Sequence, residues 1–394
     1  MSCCTIIDLS SLNVNIFLRS SSHFSADFFL RHISFLFSFY FHFYSTLFKF
    51  PPNAIIKDSS LTAYFQRSEL KQKEGTSMWA YNETFYQIYP IGFCGAPTHN
   101  DGVTMHRILK IADWAGYLEE LGIGSIILNP IFESDNHGYD TRDLTKIDCR
   151  LGTNEDFQTV CETLHSHNIK IMLDGVFNHV GRGFWAFQDV LEKKWDSPYK
   201  DWFYIKDINK VDTPLNKIDS KNIPYETFSC VAEMPKLNTE NEEVIEYLLE
   251  VGRYFIKEFD IDAWRLDVSN EVDHSFWRQF RKEVKKIKSD VYILGEIWHN
   301  SLPWLMGDQF DAVMNYPFAD ALIKFFCTNE IDEIEFKYRL NDIVSNYQMQ
   351  TIESGFNLLG SHDTTRVLSY CNNNKDKFKL AYLFMFTQSG APCI

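Results

Sequence analysis

From residue 85 onward, two patterns of hydrophobic and polar positions alternate along the chain. Short apolar runs, typical of buried strands, occur at 85–91, 125–132, 170–177, 261–268, 291–297, 310–314 and 356–361. Apolar residues three and four positions apart predict amphipathic helices at 108–121, 154–167, 242–259, 276–287, 323–347 and 377–386. This strand–helix order predicts an α/β fold with a parallel sheet inside a layer of helices, most simply a (β/α)8 TIM-type barrel.

The same pattern predicts two irregularities in a barrel that begins at residue 78. Residues 181–240 separate the third strand from its helix by far more than an ordinary loop, and we expect a small inserted domain there. Only residues 387–394 follow the last helix, so we expect the barrel, 78–394, to be truncated before its eighth strand. Two unpaired sheet edges would then remain, which is an aggregation liability.

Residues 1–77 differ in composition from the rest of the chain. They are rich in Phe and Ser, and 33–48 is almost continuously aromatic or apolar. That run is shorter than the ~20 residues of a membrane-spanning helix. It also lacks the basic start and the cleavage site of a signal peptide. We expect a non-native or disordered leader, with a membrane anchor as the alternative.

Composition narrows the classes of function. A net charge of −15 disfavours nucleic acid as a partner. The 9 cysteines show no CxxC pair and no zinc spacing, which predicts a reducing compartment and therefore a cytoplasmic protein. Aromatic residues make up 16% of the chain, and the Trp and Tyr spread through its body suit stacking on sugar rings.

Two charged residues interrupt the apolar run at 261–268. Arg265 and Asp267 stand at alternate positions, so both side chains point to one face of the strand. Buried charge is costly unless it is paired. The two residues therefore form either a structural ion pair or a catalytic carboxylate beside a guanidinium at the carboxyl end of a barrel strand.

Polar residues also follow several other predicted strands. Because the carboxyl ends of barrel strands converge on one crevice, we expect these groups to lie together. Clustered acids cost stability, and function is the usual reason to keep them. The groups are Tyr139 and Asp140 after the second strand, Asp174 and His179 at the third, Glu296 at the fifth, and His362 and Asp363 at the seventh.

These residue types leave two chemistries open. One is metal-assisted hydrolysis through a His/Asp site. The other is glycoside hydrolysis by two carboxyls, one ionised and one protonated. In the second, Arg265 would keep Asp267 anionic as the nucleophile, and apolar neighbours would raise the pKa of Glu296 so that it donates a proton.

Four segments resemble, in order, the signature regions of the alpha-amylase family of glycoside hydrolases. They are DGVFNH (174–179), WRLDVSNEV (264–272), LGEIW (294–298) and LLGSHD (358–363), with NPIFES (129–134) and HGYD (137–140) adding to the resemblance. In the long insertion, MPKLN (234–238) resembles the neopullulanase, cyclomaltodextrinase and maltogenic amylase branch.

The resemblance implies a retaining hydrolase of α-1,4-glucosidic bonds, with α-1,6 bonds as a further candidate, in maltooligosaccharides, cyclodextrins, pullulan or starch. The alternative is a catalytically impaired truncated fragment or a carbohydrate-binding pseudoenzyme. The implied catalytic residues are Asp267 as nucleophile, Glu296 as general acid/base and Asp363 as the acid that stabilises the transition state. The implied substrate-binding residues are Tyr139, Asp174, His179, Arg265 and His362.

The resemblance also bears on cofactors and partners. We expect an α-glucan oligosaccharide as the partner, no membrane, and no cofactor. Calcium is an open alternative, because relatives often bind it but residues 92–97 lack the acidic run that many of them have. A C-terminal β domain is expected to be absent, and the oligomeric state stays open.

Overall fold

The computed structural model describes residues 78–394, in which short parallel strands occupy the centre. The strands are β1 (Phe85–Ile88), β2 (Ser125–Leu128), β3 (Phe132–Ser134), β4 (Thr141–Ile147), β5 (Lys170–Gly175), β6 (Ala263–Leu266), β7 (Tyr292–Gly295), β8 (Ala312–Val313), β9 (Phe356–Asn357) and β10 (Ala391–Pro392). Strands β1, β2, β5, β6, β7 and β8 form one parallel sheet in that order, while β3 and β4 form an antiparallel pair. The leader predicted at 1–77 lies outside the described residues.

The two edges of the six-stranded sheet are joined through β9 and β10. Strand β9 pairs in parallel with β10, and single bridges connect Met314 to Phe356 and Cys393 to Phe85. The backbone of Ile394 exchanges two hydrogen bonds of 3.0 Å with Phe85 and Gln87 of β1. The prediction of a chain that stops before an eighth strand and leaves two open edges is therefore wrong.

A buried apolar cluster fills the inside of this curled sheet. Each of the eight parallel strands contributes at least one side chain to it, which is the packing expected of a TIM-type fold. Strand β7 contributes two residues, Tyr292 and Leu294, and the other strands contribute one each. In chain order these are Phe85, Ile127, Met172, Ala263, Ala312, Phe356 and Ala391.

Helices pack against the outside of the sheet. They are Pro90–Phe93, Leu109–Asp113, Ala115–Leu121, Asn154–Ser166, Trp185–Lys193, Glu242–Phe259, His274–Ile287, Tyr316–Leu322, Glu333–Asn346, Met349–Glu353, Val367–Tyr370 and Lys375–Phe386, with a π-helical turn at Ile323–Cys327. Their apolar sides pack with the outward side chains of the sheet in a second, larger core. Within residues 78–394, no helix has the length and apolarity needed to cross a bilayer.

Several element boundaries differ from the predicted ones for local reasons. The helix predicted at 108–121 is divided at Trp114, and the strand predicted at 125–132 ends at Leu128, two residues before Pro130. Proline has no N–H to continue a ladder, and the chain leaves the sheet there. The strand predicted at 356–361 keeps only two paired residues.

The stretch between β5 and the helix Glu242–Phe259 contains one α-helix and several short 3-10 turns. Trp185, Tyr199 and Trp202 pack edge to face with one another, and Trp185 and Trp202 also contact Tyr247 of the long helix. Trp202 belongs to the larger core and Tyr199 and Tyr247 pack against it, so these rings extend that core. That residues 181–240 form a small domain of their own stays a prediction.

Candidate active site

Four charged side chains meet at the carboxyl ends of three neighbouring strands. Asp174 of β5 is paired in register with Arg265 of β6, Asp267 follows β6 directly, and Glu296 follows β7. Their exposed fractions are 1%, 1%, 5% and 6% respectively. The parallel register thus places four ionisable groups together in a region that is almost closed to solvent.

The Arg265 guanidinium contacts all three carboxylates. Its Nη1 donates to Oδ1 of Asp174 and to Oδ1 of Asp267, each at 2.7 Å, and its Nη2 lies 2.9 Å from Oε2 of Glu296. One positive charge therefore faces three acids. Arg265 and Asp267 are therefore not an isolated ion pair, since Asp174 and Glu296 contact the same guanidinium.

Burial and crowding shift the proton affinities of the three acids in different directions. Burial raises the pKa of Asp267 well above its ordinary value despite Arg265, and the charges of Glu296 and Asp174 raise it further. Burial also raises the pKa of Asp174. For Glu296, burial is outweighed by Arg265, the Val268 N–H and the Trp298 indole, so its pKa is lowered.

The prediction that apolar neighbours raise the pKa of Glu296 is therefore wrong for this arrangement. The reason is geometric. Ile297 is fully buried in the core, and Trp298 presents its polar edge, with Nε1 donating to Oε1 of Glu296 at 3.0 Å. The backbone N–H of Val268 donates to the other oxygen at 2.9 Å. Glu296 thus sits among hydrogen-bond donors, which favour its charged form.

Tyr139, His362 and Asp363 extend the cluster on the side of Asp174. The Tyr139 hydroxyl lies 2.9 Å from Oδ2 of Asp174 and 2.6 Å from Nε2 of His362, and the two rings are stacked at an angle of 8°. The same Nε2 is 3.3 Å from Oδ2 of Asp363. Burial and the charge of Glu296 raise the pKa of Asp363, whose side chain is 41% exposed. Asp363 is the acid nearest to solvent.

His179 offers an unpaired polar atom. Its ring stacks on Phe228 with 4.7 Å between centroids, and its Nδ1 lies 3.3 Å from the amide nitrogen of Asn178. Burial lowers the pKa of His179 to about 3, so the ring is neutral near neutral pH. Because an amide nitrogen can only donate, Nδ1 accepts and Nε2 carries the proton. That buried Nε2 has no acceptor among residues 78–394, which makes it a donor that a ligand oxygen could satisfy.

The eight predicted site residues therefore lie at one end of the sheet, where Arg265 and the His362–Tyr139 contact connect seven of them directly. His179 lies beyond the end of β5, the strand that carries Asp174. Sequence reasoning missed Gln87, Asn129 and the backbone N–H of Val268. The two amides could have been found, because each is a polar residue inside a predicted apolar run, 85–91 or 125–132.

Val268 has a strained backbone. Its φ of 44° and ψ of 43° place a β-branched residue in the left-handed region, where such residues are outliers. This conformation accompanies the hydrogen bond from its N–H to Glu296. Strain of this kind collects at functional sites, where the surrounding structure over-determines the backbone.

We expect Val268→Gly to be more stable than Val268→Ala by about 1 kcal/mol, because only glycine adopts this backbone without strain. Both changes remove the valine side chain, so the difference between them isolates the backbone. Chemical denaturation of the two variants measures it. A more stable alanine variant, which is the usual order in strands and helices, would contradict the strained conformation.

A possible metal-ligand group lies elsewhere in the described residues. Ligand atoms of Glu133, Asp148 and Cys149 lie within 4.8 Å of one another. Asp148, however, forms two hydrogen bonds with the buried guanidinium of Arg150, and Glu133 faces Lys146 at 3.5 Å. Calcium prefers six to eight oxygen ligands, and these cations and the thiol do not suit it.

Comparison with known proteins shows which family of proteins the chain resembles. A family model described as the catalytic domain of alpha amylase matches residues 87–394. The cyclomaltodextrinase of Geobacillus thermopakistaniensis (strain MAS1) is 47% identical, over 80% of this chain and 55% of the relative. Neopullulanase 2 of Thermoactinomyces vulgaris is 44% identical, over 84% of this chain and 58% of the relative.

A solved structure gives the same result. A cyclomaltodextrinase superposes with a TM-score of 0.73 at 42% identity, covering 81% of this chain and 57% of the other. The chain thus spans about half the length of the curated relatives it matches. The names of these relatives, cyclomaltodextrinase and neopullulanase, match the branch that residues 234–238 resemble.

Proposed function

The chain belongs to the alpha-amylase family, and from that premise we propose that it is a retaining glycoside hydrolase with a (β/α)8 barrel. Its proposed substrates are the α-1,4-glucosidic bonds of maltooligosaccharides and cyclodextrins, with the α-1,6 bonds of pullulan as a further candidate. The observation that carries the proposal is the contact of Arg265 with three buried carboxylates from neighbouring strands. Retaining glycosidases use two carboxyl groups, one on each side of the scissile bond and about 5–5.5 Å apart.

In the first step, Asp267 attacks the anomeric carbon while Glu296 protonates the departing glycosidic oxygen. A bond forms between Asp267 and the sugar, and the glycosidic C–O bond breaks. In the second step, Glu296 takes a proton from water, and the oxygen of that water displaces Asp267 from the sugar. The anomeric configuration is inverted twice and so retained.

The proton affinities in the structure have the opposite order to the one this first step needs. The pKa of Glu296 is lowered and that of Asp267 is raised. Turning Glu296 from the Val268 and Trp298 donors toward a glycosidic oxygen would remove two interactions that lower its pKa. Protonating Glu296 would also remove a negative charge that raises the pKa of Asp267. The two changes reinforce each other, so a bound sugar would favour moving the proton to Glu296.

The remaining residues surround this pair. We assign Asp363, His362 and the Nε2 of His179 to hydroxyl groups of the sugar that is attacked, because Asp363 and His362 adjoin the acid cluster and the buried Nε2 is a donor without a partner among the described residues. Tyr139 would present its ring to that sugar, as aromatic rings commonly do to flat ligands. Asp174 would hold Arg265, which it contacts at 2.7 Å.

We propose that the reaction needs no resident cofactor, since protein carboxyls supply both chemical roles. We also propose a cytoplasmic location. The cysteines of the described residues are free thiols, five of them buried, which suits a reducing compartment.

Glu296→Gln is expected to lower kcat on maltotriose by about 10²- to 10⁴-fold, because glutamine cannot donate a proton to the leaving group. With α-maltosyl fluoride, whose leaving group needs little protonation, formation of the glycosyl-enzyme should be much less affected. Pre-steady-state kinetics with both substrates measures the difference. Glu240→Gln, which neutralises an exposed acid, is the control. Equal losses on the two substrates would contradict the role of Glu296.

The function itself is tested by incubating the full chain with maltotriose, β-cyclodextrin and pullulan and by following the products chromatographically. Release of maltose or glucose that Asp267→Asn abolishes supports the proposal. A ligand-shifted melting temperature without cleavage would instead support the carbohydrate-binding pseudoenzyme. If the chain shows no cleavage and no thermal shift, the result would support an impaired fragment.

A further inference from the structure

Two amide side chains lie behind the acid cluster, and neither the proposed mechanism nor the family resemblance gives them a role. Gln87 belongs to β1, and Asn129 directly follows β2, where its N–H bonds to the carbonyl of Ile88 at 3.0 Å. Nε2 of Gln87 donates to Oδ1 of Asn129 at 3.0 Å. Asn129 is fully buried, so its amide has to find partners within the protein.

The nitrogen of Asn129 faces the polar groups of the site. It is 2.8 Å from the hydroxyl of Tyr139, 3.1 Å from Nδ1 of His362 and 3.4 Å from Oδ2 of Asp174. The nitrogen of Gln87 is 3.3 Å from the same Nδ1 of His362. Both amides therefore point toward one ring nitrogen.

The orientation of the Asn129 amide follows from its neighbours. Asp174 accepts a hydrogen bond from Arg265 with Oδ1, and its Oδ2 faces the side-chain nitrogen of Asn129. If the amide were turned over, the oxygen of Asn129 would face this carboxylate instead. An oxygen there would be repelled, whereas an NH2 group donates. With the nitrogen on this side, the oxygen of Asn129 is left to accept from Gln87, as observed. One orientation satisfies both contacts.

These contacts determine which nitrogen of His362 carries the proton. Burial and the nearby Arg265 charge lower the pKa of His362, so the ring has one proton near neutral pH. Amide nitrogens cannot accept a hydrogen bond, and two of them face Nδ1. Nδ1 is then the acceptor, and the proton lies on Nε2, which faces Tyr139 at 2.6 Å and Asp363 at 3.3 Å.

We propose that Gln87 and Asn129 are positioning residues that hold His362 in the tautomer protonated at Nε2, from which it donates toward Asp363 and the attacked sugar. The same amide donates to the Tyr139 oxygen, which leaves the Tyr139 proton for Asp174. The hydrogen bonds from Gln87 and Asn129 then end at two acids, Asp174 through Tyr139 and Asp363 through His362. The proposal rests on the proposed function for its catalytic consequence, but not for the tautomer.

The tautomer can be read without any substrate. Two-bond proton–nitrogen correlation spectra of the full chain, labelled with [¹⁵N]histidine, distinguish the two neutral forms and the cation. The His362 signals are identified by their loss in His362→Gln. We expect an Nε2-protonated neutral ring in the unsubstituted protein. A ring protonated at Nδ1, or at both nitrogens, near neutral pH would overturn the proposal.

Asn129→Asp tests the role of the amide, because a carboxylate cannot donate to Nδ1. We expect His362 to shift to the other tautomer or to the cation. We expect kcat to fall. The loss should be at least about 10-fold, which is usual when a histidine loses its orienting partner. It should be at most about 10⁴-fold, which is the cost of a wrong tautomer in a catalytic triad. KM should change less. An unchanged tautomer with an unchanged kcat would contradict the proposal.

Asn357→Asp is the matched control. It places the same charge on an amide of β9 that is 2% exposed, and its partners are Asn315 and Ser389. It should leave the His362 tautomer unchanged.

If Asn129→Asp does not fold, Gln87→Met provides a second test, because it removes one of the two donors at a half-buried position. It should raise the population of the other tautomer, and an unaltered spectrum would count against the role of Gln87.

Discussion

Asp267→Asn is expected to lower kcat on maltooligosaccharides by at least about 10⁴-fold and, at the same time, to raise the melting temperature near neutral pH. The kinetic loss follows from removing the nucleophile that forms the covalent intermediate. The gain in stability follows from the crowding of three acids around Arg265. A neutral amide of almost the same shape relieves that crowding.

The pH dependence of this gain has a definite sign. Burial raises the pKa of Asp267 in the folded protein above its value in the unfolded chain. The folded state therefore binds this proton more tightly, and the free energy of unfolding falls as pH rises above the unfolded value of ~3.9. Asparagine imitates the protonated acid. The variant should gain stability near neutral pH and lose that advantage near about pH 4.

Thermal scans of both proteins at the two pH values measure this effect, alongside kcat on maltotriose. Asp196→Asn, which neutralises an exposed acid outside the cluster, is the control for the general loss of a charge. It should change neither quantity much, because surface substitutions usually stay within about 0.5 kcal/mol. A destabilised Asp267→Asn protein near neutral pH would show that Arg265 needs the charge of Asp267 for folding.

Arg265→Met should have the opposite effect on stability and should also abolish activity. Within residues 78–394, Arg265 is the cation that contacts Asp174, Asp267 and Glu296, and removing it leaves buried carboxylates unpaired, which typically costs about 3–5 kcal/mol. The loss should shrink as pH falls, since protonated acids no longer need a counter-ion. Denaturant unfolding across this pH range measures it.

Arg265→Lys separates the charge of Arg265 from its geometry. A lysine ammonium supplies the charge but not the planar fork, whose two nitrogens contact different carboxylates. We expect it to recover part of the stability and little of the activity. Equal stability of the methionine and arginine proteins would contradict the account of the cluster.

The sequence predicted the fold well where elements are long and failed where they are short. The helices at 154–167, 242–259 and 276–287 and the strands at β5 to β7 match the structure closely, because their periodicity is strong. The eighth strand was missed because only two of its residues, Ala391 and Pro392, are paired with β9. Two residues are too few to show a hydrophobic periodicity. The existence of this strand depends on Phe85, some 300 residues away in the sequence, which no local pattern reveals.

For the site, sequence predicted which residues meet but not how their charges arrange. Strand ends in a barrel converge, so Asp174, Arg265 and Glu296 could be grouped without coordinates. The pKa of Glu296 could not be predicted, because it depends on where the Trp298 ring turns and on the unusual φ of Val268. Such side-chain and backbone orientations are set by tertiary packing.

The clustering of acids in this site lowers the stability of the folded protein. Two aspartates in the cluster have raised pKa values, which means that ionising them opposes folding. Packing of the barrel core and of the helices around it has to offset that cost. We infer that the cluster is retained for its chemistry, as is usual for crowded buried acids.

Trapping the glycosyl-enzyme tests the central claim most directly. The full chain is incubated with an α-maltosyl fluoride that carries a second fluorine at C5, which slows breakdown of the covalent adduct, and is then digested and mapped by mass spectrometry. We predict one maltosyl adduct on the peptide that contains Asp267, located on that carboxylate and missing in Asp267→Asn. An adduct on another side chain, or turnover of maltotriose with inversion at the anomeric carbon, would contradict the account.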